Sequence, residues 1–360
     1  MIGRRGVAAL VGLLTFAAAC AGPAPSPSPG AGVEPTALPS PPLASPAPSP
    51  RLTASPSTPG PTLPTLAPTP PASPTASPRP TPSAPTPRPS PEGLRLDRTL
   101  PYATDGDCGE RLRECQQFVD VYAPLEGGPF PVAVMIHGRP RAPRDMAPLA
   151  EVVARAGAVV FNVDYRGVRP VGPGWPEAPE DVACAIRYAR AHAADYGGDP
   201  ATLVLVGHSY GGYLGPLVAL AGDEFDGDCL YSAQEHSALP TGFVGIAGNY
   251  VVELEDANDR RIWYRWYRGS PSQRPAEWRM GEYRTHLGGN PDLVVRIVHE
   301  RGDPIIPPRQ PRRFHRDLEQ AGYDVELQII DGNEHFALLD PTGNGRFVLP
   351  YILELLGIEE

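Results

Sequence analysis

Residues 202–220 read TLVLVGHSYGGYLGPLVAL. An apolar, β-branched run reaches a glycine, His-Ser-Tyr follows, and after two more glycines the chain turns apolar again. TLVLV reads as a buried strand, and the longer run after the glycines reads as a helix. A strand that becomes a helix within so few residues must turn sharply. Gly207 and Gly211, two positions either side of Ser209, give the clearance for strand and helix to meet. Ser209 therefore stands on a strained G-x-S-x-G turn, the setting of a serine nucleophile.

The same alternation runs through the chain beyond residue 92. FVDVYAP (118–124), FPVAVMIHG (130–138), AVVFNVDYRG (158–167), GFVGIAGNY (242–250), PDLVVRIVHE (291–300) and VELQIID (325–331) read as strands. MAPLAEVVARAG (146–157), APEDVACAIRYARAHAADYGGDP (178–200), PRRFHRDLEQAGYD (311–324) and GRFVLPYILELLG (345–357) read as helices. In the second of these, Val182, Ile186, Ala189 and Ala193 form one stripe, which Gly197 and Gly198 close. Buried strands alternating with helices define an α/β class: a mostly parallel sheet with helices on both faces. In such sheets reactive groups lie just after the strands, at their carboxyl ends.

Residues 21–91 hold 26 of the 49 prolines, among Ser, Thr, Ala and Gly. That composition cannot bury enough apolar surface to offset the entropy of ordering, so a disordered linker is expected over 21–92. Residues 93–360 are then the folded domain. The net charge of -10, with no basic run, argues against a nucleic-acid partner. Residues 1–20, MIGRRGVAALVGLLTFAAAC, place two arginines before a short apolar core, as export signals do. FAAAC followed by AG resembles a bacterial lipoprotein signal, with Cys20 as the lipidated residue. Ala17 stands where that family usually has Leu, and cleavage after the A-x-A of residues 19–21 is the competing reading. A lipid on Cys20 would anchor the domain to a membrane through the linker. Four cysteines then remain, and of their three pairings Cys108–Cys115 with Cys184–Cys229 closes the shortest loops. None is spaced as in a zinc or redox motif.

A nucleophilic serine needs a base, and the base needs an orienting acid. Of eight histidines, His137 precedes the nucleophile, His192 and His315 are helical, His299 lies within a strand, and His236 and His286 lie in loops. His208 is next to Ser209. His335 follows the last strand on the carboxyl side of the sheet and is the base expected. RGDPIIPP puts Asp303 just after a strand, between Gly and Pro, as the expected acid. Glu253, Glu255 and Asp256, after the preceding strand, compete for that role, whereas Asp331 and Asp340 are too near His335 in sequence. The oxyanion hole needs two backbone donors. Tyr210 is one, and the loop after FPVAVMIHG, with Gly138 and Arg139, supplies the other.

MIHG, VDYRGV, EDVACAIRYARAHAADYGGDPATLVLVGHSYGG, RGDPIIP and NEHF together resemble the α/β-hydrolase superfamily, nearest its carboxylesterase branch, over most of residues 115–360. That branch commonly shows His-Gly-Gly-Gly where this chain has His137-Gly138-Arg139-Pro140, and often Ala where Tyr210 stands. The resemblance implies the α/β-hydrolase fold and a small-molecule ester substrate. It implies a Ser209, His335, Asp303 triad acting through an acyl-enzyme, with no metal or organic cofactor. Activity is expected to fall below about pH 6 to 7 as the base protonates. A prolyl-oligopeptidase-like peptidase or an acyltransferase would share the triad order, and a non-catalytic binding protein would break the triad. Residues 253–290, with Trp263, Tyr264, Trp266, Tyr267 and Trp278 among arginines, read either as a lid or as a helix packing its aromatics inward.

Overall fold

A computed structural model describes residues 93–104, 116–139, 142–167, 174–230, 233–255 and 260–359. Cys20, the expected linker and the Cys108–Cys115 pair lie outside them. Eight strands form one sheet: β1 (Leu94–Thr104), β2 (Gln116–Pro124), β3 (Phe130–Ile136), β4 (Val159–Val163), β5 (Gly198–His208), β6 (Gly242–Ile246), β7 (Val294–Glu300) and β8 (Asp324–Ile330). Their order is β1-β2-β4-β3-β5-β6-β7-β8. β2 runs antiparallel to β1 and to β4, and every other pairing is parallel.

Both faces of the sheet are covered because successive strand residues point opposite ways. Val132, Val134 and Ile136 of β3, with Leu203 and Leu205 of β5, face one core. That core is closed by α2 (Glu177–His192), α3 (Gly211–Ala221) and α6 (Arg309–Gln320). Ala133 and Met135, with Val204 and Val206, face the other core under α1 (Pro143–Arg155) and α7 (Leu349–Leu356). Strands buried on both sides are continuous apolar runs rather than alternating ones, which is why these were legible.

Several expected bounds shift: the strands expected over 158–167 and 242–250 end at Val163 and Ile246, and the helix expected over 311–324 spans Arg309–Gln320. The helix expected over 178–200 ends as α2 at His192, and a short 3-10 turn follows to Tyr196. Gly197, at φ 72°, then turns the chain straight into β5, so Gly198 belongs to the strand. The last helix is shorter than 345–357, because Asn344–Phe347 forms a 3-10 turn before α7. Cys184, in α2, and Cys229 lie at disulfide-bonding distance, with Cα atoms 5.1 Å apart.

The parallel register aligns the strand ends. Ile136 pairs with Gly207, and His208 pairs with Ile246. The turns after β3, β5 and β6 therefore leave the sheet side by side. At the centre the glycines are required by contact. A Cβ on Gly207 would sit 2.3 Å from the Gly211 carbonyl oxygen, and one on Gly211 would sit 2.4 Å from that of Ile136. Both obstacles are backbone and cannot rotate away. Gly211→Ala should therefore destabilise the domain by about 2 kcal/mol, read as a fall in Tm of roughly 5 °C. An unchanged Tm would mean that the helix is not seated this closely on β3.

Candidate active site

Ser209 begins the turn between β5 and α3 with φ 55°, the left-handed region that a non-glycine residue rarely enters. Its backbone is held in place on both sides. The Ser209 amide donates to the Ile246 carbonyl at 2.9 Å, and the Ser209 carbonyl accepts from the Asn249 amide at 3.0 Å and from Gly212 at 2.9 Å. The side chain thus stands above the carboxyl edge of the sheet instead of joining it.

His335 comes from the loop after β8. Its Nδ1 lies 2.7 Å from Asp303 Oδ2, and its Nε2 lies 2.8 Å from Ser209 Oγ. A carboxylate only accepts, so Nδ1 carries the proton, and Nε2 presents its lone pair to the serine hydroxyl. Asp303 follows β7, and its second oxygen accepts from the amides of Ile305 and Ile306 at 2.8 and 2.9 Å. Burial pushes this carboxyl up. The hydrogen bond and charge of His335, with the two amides, outweigh burial and hold it below its ordinary value. All three side chains are at least nine-tenths buried.

The competing acids lie elsewhere. Glu253 pairs with Arg284. Asp331 is exposed beside Arg301, and Asp340 closes a turn onto Thr342. Glu255 lies at the rim of the pocket, where it accepts from Gln310 Nε2 at 3.4 Å. Asp256 falls outside the described residues.

The expected donors gather around Ser209. A Cβ on Gly138 would come within 2.8 Å of the Ser209 Cβ, so the β3 loop passes directly against the serine. Among the described residues no hydrogen bond engages the amides of Arg139 or Tyr210. His137 has a structural place: Nδ1 lies 2.8 Å from the Gly138 carbonyl and Nε2 lies 3.1 Å from Asp164, while its ring stacks on Tyr165. The histidine braces the loop where it passes the serine.

Three supports carry no signal in the sequence pattern. His208 Nε2 lies 3.1 Å from the His335 carbonyl, which ties the Ser209 turn to the His335 loop. Glu300, at the end of β7 and almost fully buried, accepts from the Glu334 amide and from Asn344 Nδ2, both at 2.7 Å. His299 Nε2 donates to the Ile306 carbonyl at 2.8 Å, and burial lowers its pKa, so it is a neutral brace for the Asp303 loop. A glutamate or histidine closing a strand has no periodicity to mark it, and each role depends on a loop distant in sequence.

Beside Ser209 opens a pocket of about 110 Å³. Arg139, Asn249 and Glu255 are among its polar lining, and Ile262, Trp263 and Ile305 among its apolar lining. Ile262 and Trp263 belong to α4 (Arg260–Trp266), within the aromatic segment. Trp263 stacks on Tyr210 at 5.0 Å between ring centroids and meets Tyr213 edge-on at 4.6 Å, and Trp266 is fully buried against Tyr210. The helix packs Trp263 and Trp266 inward, as the packing reading expects, leaves Tyr264 exposed, and lines the pocket with Ile262 and Trp263. Among the described residues no helix is long and apolar enough to cross a membrane.

This strand order, with a serine on the turn after β5, an acid after β7 and a histidine after β8, is that of an α/β hydrolase, and the relatives place it in the esterase branch. The BD-FAE family model matches residues 119–318, and the chain belongs to that family. Esterase LipC of Mycobacterium tuberculosis is 28% identical over 292 residues, covering 71% of this chain and 69% of LipC. Esterase LipQ of the same organism is 25% identical over 226 residues, covering 59% of this chain and 50% of LipQ, so the chain spans about half of that relative. Among solved structures, the acetyl ester-xyloside bifunctional hydrolase from Caldicellulosiruptor lactoaceticus shares the fold with a TM-score of 0.60 at 18% identity, covering 72% of this chain and 97% of that one. The Thermogutta terrifontis esterase 2 shares it with a TM-score of 0.54 at 20% identity, covering 69% and 92%.

Proposed function

We propose that this chain hydrolyses carboxylic esters through an acyl-enzyme on Ser209. The observation that carries the reading is the His335 ring, held between Asp303 and the Ser209 hydroxyl at hydrogen-bond distance on both sides. Ser209 Oγ attacks the ester carbonyl carbon as its proton passes to His335 Nε2. The imidazolium is stabilised by Asp303, and the new oxyanion is met by the amide of Tyr210 and those of the residue 138–139 loop. Collapse breaks the carbonyl carbon–alkoxy oxygen bond, and His335 returns the proton to the departing alcohol. Water then attacks the acyl-serine by the same route, releasing the acid and restoring the serine. The pocket volume of about 110 Å³ suits a short acyl chain.

Fluorophosphonate labelling with peptide mapping tests the nucleophile directly, and the label is expected on Ser209. A purified chain that hydrolyses no short-chain ester and takes no label would overturn the reading. The pH profile is a second test. A carboxyl whose folded pKa is depressed stays ionised until the pH falls below its ordinary range, so Asp303 stays charged to below about pH 4. The acid limb of kcat/KM should therefore keep unit slope above about pH 4, with no added protonation from Asp303. A limb of slope two would mean that the acid titrates with the base. Lipid attachment at Cys20 remains a proposal carried by residues 1–20, and mass spectrometry of the mature N-terminus decides it.

A further inference from the structure

We propose that Arg139 selects esters that carry a carboxylate within a few bonds of the scissile carbonyl. The proposal rests on the reading of Ser209 as nucleophile and names the substrate class of that same site. Arg139 follows Gly138, whose backbone lies against Ser209, and its side chain lines the same pocket as the serine. The guanidinium sits over the Tyr210 ring, 5.3 Å from its centroid. Its Nη1 is closed off from solvent and meets no acceptor, and among the described residues Arg139 makes no hydrogen bond or ion pair.

The buried arginines Arg187 and Arg296 are in a different state from this half-buried one. Arg187 donates to the carbonyls of Phe225 and His236, and Arg296 is held by Glu354 and Asp324. A guanidinium stays charged at any pH the protein meets, and burying its donors unpaired is unfavourable. The Tyr210 face offsets part of that cost by cation–π attraction and leaves the hydrogen-bonding capacity unused. A planar carboxylate matches the unused donors in geometry and in charge. Ile262, Trp263 and Ile305, in the same lining, accept the apolar part of a substrate. Glu255 also lines the pocket and disfavours an anion beside itself, which leaves Arg139 as the group in the lining that attracts one.

Monoethyl succinate and ethyl butyrate test this, because they differ only in a carboxylate in place of a terminal methyl. The wild-type kcat/KM ratio should favour monoethyl succinate by roughly tenfold or more. Arg139→Met should erase that preference, and Arg139→Lys should keep part of it. A loss in Arg139→Met that is equal for both esters would overturn the proposal, since it would assign the cation to the oxyanion common to all esters. A second measurement needs no variant: succinamate should inhibit wild-type ethyl butyrate hydrolysis about tenfold more tightly than butyramide. Equal inhibition overturns the proposal. Ethyl butyrate turnover without carboxylate preference defeats this inference and leaves the esterase reading standing. Failure to hydrolyse either ester, with no fluorophosphonate label on Ser209, defeats both.

Discussion

Ser209→Ala should lower kcat for a short-chain nitrophenyl ester by a factor on the order of 10⁴ or more, and should abolish fluorophosphonate labelling. The size follows from what is lost: the atom proposed to bond to the acyl carbon. The fold should survive, because the change removes one oxygen whose partner is His335 and leaves the Cβ and the backbone hydrogen bonds of the turn in place. Alanine enters the same left-handed backbone as serine did, so no new strain arises. Thermal unfolding should move by no more than about 1 kcal/mol, which separates lost chemistry from lost structure. A variant that folds and keeps more than about a tenth of the activity would take the nucleophile role away from Ser209.

Asp303→Asn should cost about 10⁴-fold in kcat, although the substituted side chain is nearly the same shape. Its oxygen can still accept from Ile305 and Ile306, so the loop keeps its conformation. The new amide then presents N–H to His335 Nδ1 where a carboxylate stood. The imidazole answers by moving its proton to Nε2, which turns a donor rather than a lone pair toward Ser209. Stability should follow the linkage sign of a depressed carboxyl. The Asp303 contribution is fully present above its ordinary pKa and is lost as the pH falls through the lower folded value. The variant should therefore be less stable than wild type at pH 7, with the difference shrinking below about pH 4. A loss of activity under tenfold would remove Asp303 from the orienting role.

Much of this arrangement was readable before folding, and for a local reason. Strands buried on both faces, such as Val132 to Ile136 and Leu203 to Val206, must be apolar throughout, whatever their neighbours. The turn around Ser209 needs glycine at fixed offsets because backbone meets backbone there. β1 was not legible. It is an edge strand with Arg95, Leu96, Arg98 and Thr99 exposed, and it pairs with β2 through register shifts that break any alternation. The aromatic segment was ambiguous because helix α4 both packs and lines the pocket. Either role alone would demand large rings.

The amino-acid sequence by itself determined the layered α/β architecture and the serine turn, because both follow from side-chain periodicity and steric clearance within a few residues. It narrowed the base and the acid to positions after strands without joining them to the serine. His335 lies 126 residues beyond Ser209 and 32 beyond Asp303. Only the parallel register of β5, β6, β7 and β8 brings those strand ends to one edge. Tertiary structure alone decided the braces, His208 on the His335 carbonyl and Glu300 on the His335 loop, and among the described residues it left Arg139 Nη1 without an acceptor beside the serine. Such partnerships are fixed by distance between loops, and no pattern along one segment encodes that distance.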